Sequence, residues 1–548
     1  MTRLEKLLRL FHTLRYLRPR QIGYRLLRRL WRPKPDPRPA PPLRPRLGAW
    51  TAPIAKPAAM PGPNRFRFLN QEGQVAAPDG WNDPRQTKLW LYNLHYFDDL
   101  TAEGSAQRRA WHLDLIRRWV AENPPGEGNG WEPYPISLRA VNWIKWVLSG
   151  NELPPEAVDS LGVQIRLLYR RPEYHLLGNH LWANAKALVF AGLFFEGEEA
   201  EGWLRKGLAI VRREIGEQVL ADGGHFERSP LYHAIFLEDL LDLLNLFVVY
   251  GHKPEEEWLF AISLMRTWLE VMSHPDGGIV LFNDAAFGVA PGQRAVDAYA
   301  RRLGLGEITH AATALTRFPE TGYIRCEKGR AVLFIDAAPI GADYIPGHAH
   351  ADTLTFELSL FGRRIIVDSG TSTYEKNAER QRQRGTAAHN TACLDGADSS
   401  EVWGGFRVGR RARPLDLKTA QTDRELVVCC AHDGYRRLPG RPLHRREWRL
   451  TASGLSIRDR IEGGFREAVA RCRFHPEVEV VLNQDGTGKG SLLGGEAFAF
   501  RVARGFPRLV PSTYHPEFNA GLPTCCLEIV LDGAEAEVYF SWDSPGDK

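Results

Sequence analysis

The spacing of apolar residues changes once along this chain, and the change divides it in two. From about residue 85 to 305, apolar positions recur three and four apart, the period of a helix with one buried face. The pattern predicts helices over 107–121, 136–149, 156–171, 179–196, 201–219, 230–250 and 256–273. Helix-ending chemistry separates them: Asn123-Pro124-Pro125-Gly126, Pro154-Pro155, Gly197, Asp222-Gly223-Gly224 and Pro275-Asp276-Gly277-Gly278. Helices of this length on short loops imply stacked antiparallel pairs, an array or a toroid.

After about 320 the period becomes two. Thr353 to Leu360 alternates polar and apolar, Phe361-Gly362 turns, and Arg364-Ile365-Ile366-Val367 returns. Leu455–Ile461 alternates less cleanly, and Ala536–Trp542 reads as a last strand. Short strands separated by turns predict an antiparallel β-sandwich. Helices followed by strands mean two domains, each with its own core, in a chain of 548 residues. The predicted boundaries are 64–312 for the helical domain and 313–548 for the sandwich.

Residues 1–63 fit neither pattern. The first 33 residues carry nine Arg and one Lys against a single acid, Glu5. Leu4, Leu7, Leu8, Leu10, Phe11 and Leu14 fall largely at helical spacing among them, so one or two basic amphipathic helices are expected. Two readings stay open: helices packed on the body, or peripheral contact with a membrane surface. Residues 33–63 hold eleven prolines and predict an extended strap.

Composition changes this picture little. The chain is 43% hydrophobic and 25% charged, as folded globular proteins are. Its net charge of +5 comes from the basic head, and no nucleic-acid motif accompanies it, so nucleic acid is not expected as a partner. The seven cysteines lie in the C-terminal half, with two adjacent pairs and no CxxC spacing, which is no disulfide framework and leans toward a reducing compartment. No apolar run reaches a membrane span, and Arg interrupts the N-terminal apolar stretches too often for a signal peptide. A bacterial cytoplasm or periplasm is expected, with the cytoplasm favoured.

Candidate chemistry falls into clusters. Gly347-His348-Ala349-His350-Ala351-Asp352 precedes the alternating strand, Asp368 follows the returning one, and His389-Asn390-Thr391 comes next. His350, Asp368 and His389 suit zinc, with ligands at about 2 Å; ordinary polar strand ends explain them equally. Gly178-Asn179-His180 opens a helix, where exposed N–H groups favour a carboxylate, and plain N-capping by Asn179 is the alternative. In Asp222-Gly223-Gly224-His225-Phe226-Glu227-Arg228-Ser229-Pro230-Leu231-Tyr232-His233, Ser229 and Pro230 fit N-cap and N1 preferences and put Tyr232 in the first turn. Tyr232 is either a base near a positive site or a packed groove residue. Tyr92-Asn93-Leu94-His95 and Trp131–Arg139 have the aromatics and amides of sugar clefts, or of core corners. Walker loops, dinucleotide fingerprints, HExxH and GxSxG are absent.

In their order, Leu91–Phe97, Asn179-His180, Glu227–His233, Gly347–Asp352, Ile366–Gly370 and His389–Thr391 resemble the heparinase II/III family of polysaccharide lyases. The resemblance covers roughly residues 80 to 410. It implies an incomplete α/α toroid joined to an antiparallel β-sandwich, and β-elimination on a uronic-acid glycan, such as a bacterial exopolysaccharide. By matching motif, Asn179 would hold the substrate carboxylate and Tyr232 would be base, acid or both. His180 would be a base for the opposite epimer or a second donor, and His348 would help neutralise charge. His350, Asp368 and His389 would hold one structural zinc. Tyr92, Asn93, His95, Glu227, Arg228, Tyr374 and Arg384 are candidates for substrate contact. Two other readings remain: a non-catalytic glycan-binding or polysaccharide-assembly protein, and a glycoside hydrolase using two of Glu132, Glu227 and Asp222.

Overall fold

The computed structural model describes residues 3–308 and 313–543. Two helices, α1 (Arg3–Leu14) and α2 (Pro19–Leu30), form the basic head, and an extended strap follows. The strap is fastened rather than loose. Arg44 donates to the carbonyls of Leu193 and Phe195, and Arg46 to Val147 O at 2.7 Å.

The helical domain contains α3 (Lys88–Tyr96), α4 (Arg109–Glu122), α5 (Pro133–Leu148), α6 (Pro155–Arg170), α7 (Gly178–Phe194), α8 (Glu198–Gln218), α9 (Pro230–Val249), α10 (Glu256–Val271) and α11 (Gln293–Arg302). Every helix expected from periodicity is present within a few residues; α3 and α11 are additional. α7 packs against α8 and α5, its first turn meeting that of α5 where Asn179 reaches Tyr134, around one apolar interior that includes Trp143, Trp182, Leu188 and Leu241. α5, α7 and α9 are buried nearly all round, which fits the inner layer of a ring.

The last helix of the helical domain ends at Arg302 and the first strand of the β-domain begins at Leu315; the expected 312/313 boundary touches residues outside those described. A five-stranded sheet runs in sequence order, Leu315–Phe318, Tyr323–Lys328, Ala331–Asp336, Phe356–Leu360 and Arg363–Ile366. An eight-stranded sheet takes Pro414–Gln421, Glu425–His432, Leu443–Thr451, Gly454–Glu462, Glu535–Ser541, Ala497–Arg504, Thr487–Leu492 and Val478–Leu482 in spatial order. A four-stranded sheet, Phe506–Tyr514, Leu522–Val530, Ala468–Arg473 and Ala392–Leu394, completes the layers. All named pairings are antiparallel. Alternate residues such as Leu333, Phe356, Val428, Trp448, Ile457 and Phe540 meet in one inner core.

The alternating run from Thr353 pairs only from Phe356 onward. Leu354 has φ 69°, so the chain turns there before entering the sheet. That turn carries the 347–352 motif away from the sandwich and toward the helical domain, where Asn283 Oδ1 accepts from the His350 N–H at 2.9 Å.

Candidate active site

Two helix starts and one loop meet where the domains join. Leu177 and Gly178 both have positive φ, 67° and 51°, so the chain reverses sharply into α7. A Cβ on Gly178 would lie 2.8 Å from Glu227 Oε1, which makes glycine a requirement there. Asn179 does not cap the helix with its side chain. Its Nδ2 donates to Tyr134 Oη at 2.9 Å, turning the amide toward the cleft. His180 Nδ1 donates to Glu173 Oε2 at 3.1 Å, and its ring lies 4.6 Å from that of Tyr134. Burial alone would lower the His180 pKa, but Glu173 outweighs it and the net direction is upward.

α9 begins as its sequence predicts. The Ser229 side chain accepts from the Tyr232 N–H at 3.3 Å, and Pro230 fills N1. Tyr232 therefore sits in the first turn, with its ring 3.9 Å from that of His348. Its Oη is 3.1 Å from Tyr374 Oη. Burial raises the Tyr232 pKa well above 10, and Tyr374 adds to the shift, so the neutral phenol is the resting form.

His348 arrives from the β-domain on a short 3-10 turn, Pro346–His348. Its Nδ1 donates to Asp284 Oδ2 at 2.9 Å, and its Nε2 lies 3.7 Å from Glu227 Oε2. Glu227 is buried, with its pKa pushed up by burial against the pull of His348. The His348 and His180 side chains keep 17% and 37% of their surface open. Asp284 is the hub. It also accepts from His350 Nε2 at 2.8 Å and from Arg380 Nη2 at 2.6 Å. Burial would raise its pKa, but Arg380 and the two histidines hold it well below the usual carboxylate range.

Behind His348 lies a buried donor set. One ligand atom each from His350, Asp352 and His389 fall within 4.8 Å of one another. His350 Nδ1 and His389 Nε2 are buried without a hydrogen-bond partner. Orphaned imidazole nitrogens facing a carboxylate match the donors zinc takes. The carboxylate gathered with the histidines is Asp352; the expected Asp368 instead accepts from His389 Nδ1 at 2.8 Å and orients that ring from behind. Burial pushes the Asp352 pKa up to about 6, against the pull of His389.

Other expected contacts lie elsewhere. His95 is wholly buried, bonded to Trp81 O and Trp119 Nε1 at 3.0 Å each, because the inner face of α3 points into the core. Arg384 is also wholly buried and donates to Ala349 O at 2.7 Å, bracing the His348 turn instead of meeting substrate. Arg228 donates to Thr321 O at 2.8 Å and Glu320 O at 3.1 Å, clasping the β-domain. Asp222 accepts from the Glu320 and Thr321 N–H groups at 2.8 and 2.7 Å, so it is a structural anchor and no partner for a hydrolytic pair. Tyr92 donates to Glu132, and Asn93 Nδ2 donates to Leu89 O at 2.9 Å within α3. Tyr134, Glu173, Asp284, Asp352 and Arg380 were not singled out by the sequence. Tyr134 and Asp352 sat inside flagged stretches; Asp284 and Arg380 carried no signal because their partners are remote in sequence, and Glu173, seven residues before His180, lay outside every flagged motif.

A helical ring is thus joined to a β-sandwich, with Asn179, His180, Tyr232 and His348 gathered at the junction. The chain belongs to the heparinase II/III family: the heparinase II/III N-terminus matches residues 106–296, and the heparinase II/III-like C-terminal region matches 310–543. A heparin-sulfate lyase of Bacteroides stercoris is 28% identical over 300 residues, covering 48% of this chain and 43% of that protein. The FtsZ-localized protein C of Caulobacter vibrioides is 24% identical over 438 residues, 74% of this chain and 73% of that one. A heparinase III structure superposes with a TM-score of 0.66 at 17% identity, covering 88% and 80% of the two chains. The match therefore spans less than half the length of the Bacteroides stercoris lyase.

Proposed function

We propose that the protein is a polysaccharide lyase that cleaves a uronic-acid glycan by β-elimination, a bacterial exopolysaccharide being one such polymer. The observation that carries this reading is the 3.9 Å contact between Tyr232 of the helical domain and His348 of the β-domain, in a cleft also lined by Asn179 and His180. Elimination begins with the C5 proton, which is too weak an acid while the adjacent carboxylate keeps its charge. Asn179 Nδ2 and His180, whose pKa Glu173 raises, are donors for that carboxylate, and such donors contribute several kcal/mol as the enolate develops. Tyr232, whose resting phenol first gives its proton up to solvent, takes the C5 proton as phenolate, with Tyr374 Oη placed to donate to it. The C5 electron pair forms the C4–C5 double bond, the C4–O bond breaks, and the phenol returns its proton to the leaving oxygen. No water enters the balance.

His350, Asp352 and His389 would hold one zinc ion, with Asp368 behind His389. There it would supply structure, fixing the His348 turn. His350 is tied to His348 through Asp284, so these residues transmit that order to the cleft.

A second reading has one observation in its favour. The relative that shares about three quarters of its length with this chain is named for localisation to FtsZ, not for a lyase activity. The test is a panel of uronate polymers analysed by mass spectrometry. Products with an unsaturated non-reducing end support the lyase; hydrated ends favour a hydrolase; binding without any cleavage favours a non-catalytic protein.

A further inference from the structure

We propose that the N-terminal helical pair is a docking surface for an anionic lipid bilayer. The two helices are amphipathic in an inverted sense. The side of α1 that meets the body is polar: Thr13 Oγ1 accepts from Trp403 Nε1 at 3.1 Å, and Arg9 lies 3.8 Å from Glu401. α2 does the same, with Gln21 Nε2 donating to Tyr344 O at 3.1 Å and Arg28 bonded to His175. Apolar side chains take the opposite sides. Leu7, Phe11 and Leu14 follow one another at i, i+4 and i+7 on α1, and Ile22, Leu26 and Leu30 at i, i+4 and i+8 on α2. Phe11 is 61% exposed and Leu30 87%. Among the described residues, half of the exposed bulky apolar side chains fall between Leu7 and Trp31. A helix that packs on its protein normally buries its apolar stripe. Here the stripe is turned outward and kept there by polar contacts beneath.

Charge decides the occupant. Lys6, Arg25, Arg29 and Arg32 are exposed beside the stripe, in a segment that holds ten basic residues and one acid. Apolar side chains flanked by arginine suit the boundary between acyl chains and anionic headgroups, where apolar insertion and electrostatic attraction add. The two helices together offer a paired contact, which a single reversible anchor lacks. Docking would hold the cleft beside the bilayer, because α2 rests on Tyr174, His175 and Tyr344, just before the segments that carry Asn179, His180 and His348.

The full chain is mixed with phosphatidylcholine vesicles, with or without one third phosphatidylglycerol, and floated through a density gradient. Flotation with the anionic vesicles only, weakened by salt, is expected. Arg25→Glu/Arg29→Glu should weaken partition by about fivefold per position. Leu7→Ser/Phe11→Ser/Leu26→Ser/Leu30→Ser should abolish it without changing the melting temperature. Failure of the wild-type chain to float overturns the proposal, as does equal flotation of the fourfold serine variant. A lipid-free dimer that this variant dissolves, with no flotation of either protein, overturns it in favour of a second copy. Cleavage of soluble glycan by the serine variant is read in parallel, so the lipid result stands apart from the lyase reading.

Discussion

Tyr232→Phe removes one atom, and its consequences for stability and rate separate cleanly. The lost Oη makes a single hydrogen bond, to Tyr374 Oη at 3.1 Å. A neutral bond of this kind contributes about 0.5–1.5 kcal/mol net. The ring stays, and with it the apolar packing of α9's first turn and the 3.9 Å stack on His348. Unfolding free energy should therefore fall by no more than about 1.5 kcal/mol. The rate has no such cushion. The residue that moves the proton in both halves of the elimination is gone, and positioned acid–base groups typically contribute a factor of about 10²–10⁴. The assay is the rise in ultraviolet absorbance of the C4–C5 unsaturated product on the best polymer of the panel, beside a denaturant melt of both proteins. Tyr374→Phe is the comparison: it removes the same hydrogen bond and leaves the Tyr232 phenol, so it should share the stability change and slow turnover far less than Tyr232→Phe. Turnover by the Tyr232→Phe variant within about tenfold of wild type, on an intact fold, would refute the assignment of Tyr232.

Asp284→Ala leaves Arg380 buried without its counter-charge; breaking such a pair costs about 3–5 kcal/mol, to be measured by denaturant unfolding. Purified protein should contain about one zinc per chain by elemental analysis, and chelation or His350→Ala should lower the melting temperature; metal-free protein of equal stability would remove the zinc proposal. Glu173→Gln should lower the His180 pKa and move the alkaline limb of the activity profile to lower pH. The pair's stability follows the same signs. The His180 contribution is complete below pH 6.5 and fades as pH rises through its raised value. The Glu173 contribution is complete above 4.5 and fades as pH falls through its lowered value.

Periodicity carried most of the fold. Helices α4 to α10 bury long apolar faces, and a period of 3.6 sustained over such lengths is hard to mistake. α3 and α11 were less visible because α3 spends polar residues inward: His95 is satisfied by Trp81 and Trp119, so a buried imidazole looked like a cleft residue. The same inversion misled the reading of Arg384, whose guanidinium is hydrogen-bonded by backbone carbonyls that no sequence pattern announces. Asn179, His180, Tyr232 and His348 were picked out by the family resemblance, since local rules alone left N-capping open for Asn179 and groove packing open for Tyr232. Asp284 was not, because its importance is entirely tertiary: His348, His350 and Arg380 lie 64, 66 and 96 residues away.

The loop from Asp222 to Ser229 interleaves two jobs. Asp222 and Arg228 grip the 320–321 turn of the β-domain, while Glu227 faces His348, and the Ser229 hydroxyl donates to Asp284 O at 2.5 Å. A clasp between the domains and one wall of the cleft are thus the same eight residues. Rotation of one domain against the other cannot leave the cleft unchanged, so opening the molecule and dismantling the site are one motion.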